Sequence, residues 1–312
     1  MDMDEKSRYL GALMGLAVGD AMGVPLEFQK PGKFKPVSDI QGGGPFGLRK
    51  GQWTDDTSMA LCLAESLIEC REFDPDDLME RYIRWYREGY MSSTGTFFDI
   101  GSTVRHALEQ YEKTGEAISG STDPERAGNG SLMRLAPVAL FYALDPGEAM
   151  ERAGESSLVT HGARTAVDGC RYFCGLMVAA LQGVAKEIFL SKGYAPVPGY
   201  WRKNPLAPEI GEVAGGSFKF RKPPEIRGSG YVVRSLEAAL WAFYHSASFS
   251  EGCCKAVNLG EDADTTGAIF GQLAGAYYGI EGIPSEWRDQ IAKPDLILGM
   301  AERLYEVRRL NG

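Results

Sequence analysis

Two segments of the chain carry glycine at every fourth position, and this pattern constrains the fold more than any other feature. Glycine occupies positions 11, 15, 19 and 23 in the first segment and 267, 271, 275 and 279 in the second. Since glycine in a helix interior costs about 1 kcal/mol relative to alanine, its repetition indicates that another backbone approaches closely along that face. The same spacing occurs in membrane helices. The apolar runs are shorter than the roughly 18 residues needed to cross a bilayer, and Asp20 interrupts the first, so we expect a tightly packed bundle without a membrane span.

Most of the remaining sequence repeats its apolar residues with the helical period, and few segments resemble strands. We therefore predict an all-α fold, a compact helical bundle that forms a single domain over residues 1–312, because no change in composition marks a second domain. A short hairpin within residues 212–222 is the one β element that the pattern allows. The predicted helices cover residues 6–24, 57–70, 75–88, 101–113, 131–143, 147–157, 163–189, 231–246, 251–259, 265–279 and 295–309.

Charge and cysteine content limit the classes of function. The formal net charge is −9, which argues against nucleic acid as a partner, because such a surface is dominated by phosphate contacts. The chain begins Met1-Asp2-Met3-Asp4-Glu5 and shows no secretory signal, so we expect a cytoplasmic protein. Its six cysteines form no C-x-x-C pair, and we expect them to be reduced thiols.

Two short acidic clusters with the same chemistry lie about 200 residues apart. The first is Thr54-Asp55-Asp56-Thr57, and the second is Glu261-Asp262-Ala263-Asp264-Thr265-Thr266, which directly precedes Gly267 of the second glycine segment. Carboxylate and hydroxyl oxygens suit Mg²⁺ and Mn²⁺, and four carboxylates brought together by folding would repel one another without cations. Alternatively, each cluster is a helix N-cap, because Asp and Thr accept hydrogen bonds from free amides. The residues alone leave both interpretations open.

Several polar residues outside the clusters are further candidates. The segment 128–134 places glycines, Asn129 and Ser131 before an apolar helix, which suits either an anion site or an ordinary capped helix. His161 precedes the long helix and could contact a ligand or be a helix-entry histidine. Asp99, at the predicted start of a helix, is either a cap or a fifth acid of the site. Glu27 lies between two apolar residues, which is typical of a chemical site or of a surface loop.

Taken together, these motifs resemble the ADP-ribosylglycohydrolase family. The resemblance covers residues 7–290, and within the family the middle of the chain is most similar to the bacterial dinitrogenase reductase-activating glycohydrolases. It implies an all-α fold with a dinuclear site for two divalent cations, Mg²⁺ or Mn²⁺. The motifs that carry it are residues 11–20, 53–57, 128–131, 160–161 and 260–266.

The resemblance also implies roles for individual residues. The metal ligands would be Thr54, Asp55, Asp56, Asp262, Asp264 and Thr265. Asp99 and Glu27 would be the catalytic acids, either of which could orient the attacking water. Substrate binding would fall to Asn129, Gly130 and Ser131 at the phosphates, and to His161 and Tyr231 at the ribose or the scissile bond.

We therefore predict a metal-dependent enzyme that hydrolyses the N-glycosidic bond between ADP-ribose and an acceptor. The expected substrate is ADP-ribosyl-arginine on a protein or a small ADP-ribosylated acceptor, and the product is ADP-ribose. Serine, a nucleic-acid end and a small guanidine remain possible acceptors. The alternatives are a two-metal phosphoesterase, which would release AMP, and a non-catalytic member that only binds ADP-ribose.

Overall fold

The computed structural model describes the backbone of residues 4–310 and the side chains of residues 4–308, and this part of the chain contains fifteen α-helices. The same residues include no β-strand and only three isolated bridges, so the predicted all-α class is confirmed. The helices are α1 (Glu5–Gly23), α2 (Asp55–Cys70), α3 (Pro75–Glu88), α4 (Ser102–Thr114), α5 (Ala136–Phe141), α6 (Pro146–Leu158), α7 (Arg164–Leu181), α8 (Lys186–Phe189), α9 (Tyr200–Lys203), α10 (Pro208–Ala214), α11 (Val232–Tyr244), α12 (Phe249–Val257), α13 (Ala263–Tyr278), α14 (Ser285–Arg288) and α15 (Pro294–Leu310).

Three predicted elements were wrong in their extent or type. The helix predicted over 131–143 is only α5, because Pro137 has no N–H to donate and fits only the first turn of a helix. The helix predicted over 163–189 divides into α7 and α8, separated by Gly183 with a left-handed φ of 74°. The hairpin predicted within 212–222 is instead the end of α10 and a 3₁₀ turn, which follow one another around Gly216 at φ 96°.

The two glycine segments form α1 and α13, which pack against each other with their backbones in contact. A methyl group added at Gly19 would lie 2.0 Å from the carbonyl oxygen of Gly267, and one at Gly271 would lie 1.9 Å from that of Gly15. The pairing is antiparallel, since Gly11 meets Gly275 at the other end. The close approach that the glycine spacing predicted is therefore confirmed, and it brings the end of α1 to the start of α13.

The helix α1 and the turn after it, Glu5–Leu26, are long and apolar enough to cross a membrane by length and composition alone. Of the apolar window, 89% is buried inside the protein, where α1 packs on α13. The interruption by Asp20 did not prevent this segment from forming one continuous helix. Burial at the centre of the bundle accounts for its apolar character.

All six cysteines are free thiols, as predicted. Burial raises the pKa of Cys62 and Cys174, whose side chains lie in the core of the bundle. A buried thiol with a raised pKa carries little thiolate at neutral pH and reacts slowly. The four buried cysteines, Cys62, Cys170, Cys174 and Cys253, therefore behave as small apolar core residues.

Candidate active site

Asp20, near the end of α1, binds the start of α2. Its carboxylate accepts hydrogen bonds from the backbone N–H of Thr54 at 3.0 Å and of Thr57 at 3.2 Å. It also accepts from the hydroxyl groups of Thr54 at 3.0 Å and of Thr57 at 2.6 Å. Asp20 is fully buried and satisfies amides that would otherwise lack partners at the helix start. The first acidic cluster is thereby attached to the α1–α13 pair.

The two acidic clusters meet at this point. The hydroxyl of Thr265 on α13 donates to Oδ2 of Asp56 on α2 at 3.3 Å, across 209 positions of sequence. The hydroxyl of Thr54 lies 3.2 Å from the same oxygen. Gly23 adds to the convergence, since a methyl group there would lie 2.4 Å from the Cα of Asp264. The close packing of α1 on α13 therefore positions both clusters around one space.

Glu27 and Asp99 reach the same space from two loops. One carboxylate oxygen of each lies within 4.8 Å of the other and of an oxygen of Asp264, a spacing that could hold a metal ion. Asp99 does not begin a helix as predicted: it has a left-handed φ of 55°, and α4 starts at Ser102 after Gly101. Its cap interpretation is therefore wrong, and its side chain is free to join the acidic group.

Burial and mutual repulsion raise the pKa of these carboxyl groups. Burial raises the pKa of Glu27 to about 10, and the charges of Asp264 and Asp99 add to the effect. The pKa of Asp99 rises to about 9 through burial and the neighbouring Asp55, with which it shares a hydrogen bond. The pKa of Asp55 rises to about 7, again chiefly through burial. Without counter-ions, this group of acids cannot be fully ionised at neutral pH.

Carboxylate oxygens at this site are free to coordinate a cation. Glu27 Oε2, Asp56 Oδ1 and Asp264 Oδ1 are buried and accept no hydrogen bond from any residue in the described part of the chain. A buried carboxylate oxygen without a partner costs free energy, which a divalent cation would recover. These acids, with the hydroxyl groups of Thr54 and Thr265 beside them, offer the oxygen ligands that Mg²⁺ and Mn²⁺ prefer. The acidic group can therefore hold a metal ion.

A cavity of about 680 Å³ opens from this acidic group. Gly128, Asn129, Gly130 and His161 also line it. The N–H groups of Gly130 and Ser131 have no hydrogen-bond acceptor within residues 4–310. Two free amides on one short turn suit an anion. The cavity is therefore lined by carboxylates and by a turn that carries free amides.

The predicted substrate-binding residues do not all line this cavity. Asn129, Gly130 and His161 do, and the Asn129 side chain also donates to Asp262 at 2.6 Å. Ser131 lies behind the cavity wall, where its hydroxyl accepts a hydrogen bond from Ser157 at 2.8 Å. Tyr231 lies outside the lining with 39% of its surface exposed, and its backbone bridges to Gly128. Ser131 and Tyr231 therefore support the wall of the cavity without lining it.

Three residues that support the site were not among the predicted ones. Asp20 holds the first cluster, and Arg134 and Thr160 form a buried chain behind His161. An acid at the end of an apolar glycine-rich helix was the available signal for Asp20. Arg134 is the last residue of the predicted anion segment 128–134, but nothing in the sequence indicates that its side chain points inward.

Comparison with known proteins agrees with this geometry. The model of the ADP-ribosylglycohydrolase family matches residues 1–312. The chain is 42% identical to an ADP-ribosylarginine hydrolase Tri1 of Serratia proteamaculans, over 95% of this chain and 78% of that protein. It is 32% identical to the ADP-ribosyl-[dinitrogen reductase] glycohydrolase of Rhodospirillum rubrum, over 91% of this chain and 90% of that protein.

A solved structure is similar over nearly the whole molecule. It is described as an ADP-ribosylglycohydrolase-related protein complex and superposes with a TM-score of 0.85. Its sequence is 43% identical, and the match covers 97% of this chain and 99% of the other. The resemblance predicted from the motifs is confirmed, and the chain belongs to the ADP-ribosylglycohydrolase family.

Proposed function

We propose that this glycosyl hydrolase cleaves the N-glycosidic bond between ADP-ribose and an arginine side chain of a protein. The names of the relatives support the substrate, since two ADP-ribosylarginine hydrolases are 42% and 43% identical to the chain. The observation that carries the proposal is one cavity lined both by the acidic group and by the turn at 128–130. Acids that hold cations can orient a ribose, and the free N–H of Gly130 suits a pyrophosphate.

Two Mg²⁺ or Mn²⁺ ions are part of the proposal. The ligands would be the six residues of the two acidic clusters: Thr54, Asp55, Asp56, Asp262, Asp264 and Thr265. Bound cations would offset the repulsion among these acids, orient the ribose hydroxyls and make a water molecule more acidic. The unpartnered oxygens of Asp56 and Asp264 support this assignment.

The protein's own groups have separate tasks in this proposal. The segment 128–131 binds the pyrophosphate through its free N–H groups and so positions the ribose near the acids. Glu27 or Asp99, whose carboxyl groups face the same space, accepts the proton of the attacking water once ionised. The guanidine leaves as a basic group, so it needs less help from an acid than the water needs from a base.

The test is the release of ADP-ribose from a protein that carries ADP-ribosyl-arginine. We expect release with Mg²⁺ or Mn²⁺ and none after chelation. The variants Asp55→Ala and Asp262→Ala should abolish release while remaining folded, because each removes a proposed metal ligand. A serine-linked substrate of the same protein serves as the matched comparison and should react more slowly.

The products separate this proposal from its alternatives. Free ADP-ribose indicates glycosidic cleavage, whereas AMP indicates a phosphoesterase. Binding of ADP-ribose in a calorimeter without turnover on any linkage indicates a non-catalytic protein. Turnover that is unchanged by chelation contradicts the role of the cations.

We further propose that the whole chain acts as one domain in the cytoplasm. One large hydrophobic cluster, which contains residues from Tyr9 to Val307, supports the first point. The six free thiols support a reducing compartment. Limited proteolysis tests the first point, and fractionation of cells that express the tagged chain tests the second.

A further inference from the structure

Arg134 is a buried cation without a carboxylate partner. Only 1% of its surface is exposed, and no carboxylate in the described part of the chain lies within ion-pair distance. Its contacts are the ring of Tyr82 at 4.7 Å, the sulfur of Met59 at 3.7 Å and the carbonyl oxygen of Ser156 at 3.4 Å. Its shortest hydrogen bond is to the hydroxyl of Thr160 at 2.8 Å. Buried charges are normally paired with an opposite charge. Arg134 instead acts on other groups through its hydrogen bond to Thr160.

The hydroxyl group of Thr160 has one proton, and only one neighbouring atom can accept it. Arg134 can only donate, so it occupies a lone pair of the hydroxyl oxygen. The other neighbour is Nδ1 of His161, 2.8 Å away, and Thr160 is fully buried. If Nδ1 carried a proton, the buried hydroxyl proton would have no acceptor among the described residues, which is unfavourable. Thr160 therefore donates to Nδ1.

The other ring nitrogen of His161 has no partner and faces the cavity. His161 has only 2% of its surface exposed, and no hydrogen bond joins Nε2 to any residue between positions 4 and 310. A methyl group at Gly130 would lie 3.2 Å from Nε2, and so would one at Gly128. Both glycines and His161 line the cavity. Since no described residue accepts from Nε2, its partner is a water molecule or a ligand in this cavity.

We propose that Arg134 and Thr160 are positioning residues that hold His161 neutral with its proton on Nε2, as a donor to an oxygen of the ligand. The ligand oxygen belongs to a phosphate or a hydroxyl next to the segment 128–130. Its identification as part of ADP-ribose rests on the proposed function. Burial, followed by the charge of Arg134, lowers the pKa of His161 to about 3, in agreement with a neutral ring.

The tautomer can be measured directly by NMR on the full-length protein labelled with ¹⁵N-histidine. The chain has three histidines, and the variants His106→Gln and His245→Gln assign their signals by elimination. At neutral pH and without ligand, we expect Nε2 of His161 to resonate as a protonated nitrogen and Nδ1 as an unprotonated one that accepts a hydrogen bond. A proton on Nδ1, or on both nitrogens, overturns the proposal.

Two variants of Thr160 test the hydrogen-bond chain. Thr160→Ser keeps the hydroxyl and should keep the Nδ1 resonance close to its wild-type position. Thr160→Val has nearly the same shape but no hydroxyl, and should move that resonance because Nδ1 loses its donor. An unmoved Nδ1 resonance in the Val variant overturns the role of Thr160. The wild-type spectrum still decides the tautomer if the Val variant fails to fold.

Two variants of His161 test the donor with ADP-ribose as the probe. Gln can present an N–H near the position of Nε2, whereas Met has a similar length and no donor. We expect His161→Met to bind ADP-ribose roughly tenfold more weakly than the wild type by calorimetry, and His161→Gln to recover part of the loss. Equal binding by the two variants overturns the donor role. If the wild-type protein shows the Nε2 proton but does not bind ADP-ribose, the ligand contact fails with the proposed function and the tautomer stands.

Discussion

Replacing Asp20 with asparagine removes the charge that holds the start of α2 in the site. The carboxylate accepts from two backbone N–H groups and two hydroxyl groups, those of Thr54 and Thr57. The asparagine side chain would keep one acceptor oxygen and turn an amide NH₂ group toward donors. At least two of the four hydrogen bonds are then lost. If the remaining oxygen faces Thr54, the lost bonds are the two from Thr57.

The expected loss of stability follows from two opposing effects. Each hydrogen bond to a charged group contributes about 1.5–3 kcal/mol, so two lost bonds would cost about 3–6 kcal/mol. Burial raises the pKa of Asp20 to about 6, so desolvation of the ionised carboxylate already offsets part of this stabilisation at neutral pH. We therefore expect the free energy of unfolding to fall by about 2–3 kcal/mol.

The effect on cation binding distinguishes a role in the site from an ordinary helix cap. The hydroxyl group of Thr54 donates its proton in a hydrogen bond to Asp20 at 3.0 Å. The lone pairs of the Thr54 hydroxyl oxygen therefore remain free for a metal. The Asp20→Asn variant should bind Mn²⁺ about tenfold more weakly in a calorimetric titration, as for other residues that orient metal ligands.

Asp74 provides the matched control, because it caps α3 by accepting from two backbone N–H groups and lies on a different helix from the site. Urea unfolding of Asp74→Asn without metal should show a loss of no more than about 1 kcal/mol, and its Mn²⁺ affinity should equal that of the wild type. If the two asparagine variants bind Mn²⁺ equally well, the reasoning is refuted.

Two further predictions concern packing and pH. Gly271→Ala places a methyl group 1.9 Å from the carbonyl oxygen of Gly15, so it should lower the free energy of unfolding by about 3 kcal/mol or more. In the control Gly299→Ala on α15, the new methyl group would meet nothing within 4 Å beyond the backbone of its own helix turn and the adjacent residues, and thermal unfolding should show no loss of stability. The raised pKa values of Asp55 (about 7) and Asp99 (about 9) mean that the folded metal-free protein binds more protons than the unfolded chain. Its stability should therefore fall as the pH rises from the unfolded pKa values, near 4, through these folded values, and Mg²⁺ should raise Tm more at pH 8 than at pH 6. A larger rise at pH 6 would contradict the sign of this linkage.

The helices and the close packing of α1 were accessible from the sequence because both depend on local patterns. Apolar residues at the helical period and glycine at every fourth position are visible in a single segment. The errors arose where one residue overrides such a pattern. Pro137 delays α5, and Gly183 ends the helical run after α7, although the surrounding residues continue the helical period.

The site was only partly accessible for a different reason. The two acidic clusters could be recognised because their chemistry is repeated, but their contact depends on Thr265 and Asp56, which are 209 positions apart. Arg134, Thr160 and His161 likewise form a chain only after α6 folds back against the turn at 129–134. A local sequence pattern does not predict which buried polar groups will contact one another. The supporting roles of Asp20, Arg134 and Thr160 could therefore be seen only in the structure.

The most direct test of the shared cation site is a calorimetric titration of Mn²⁺ into the metal-free protein and into variants of each cluster. The wild type should bind two ions, and Asp56→Ala on α2 and Asp264→Ala on α13 should each weaken the binding of both. Circular dichroism confirms that the variants are folded. If each variant loses one ion and leaves the affinity for the other unchanged, the clusters bind cations independently and the central claim is wrong.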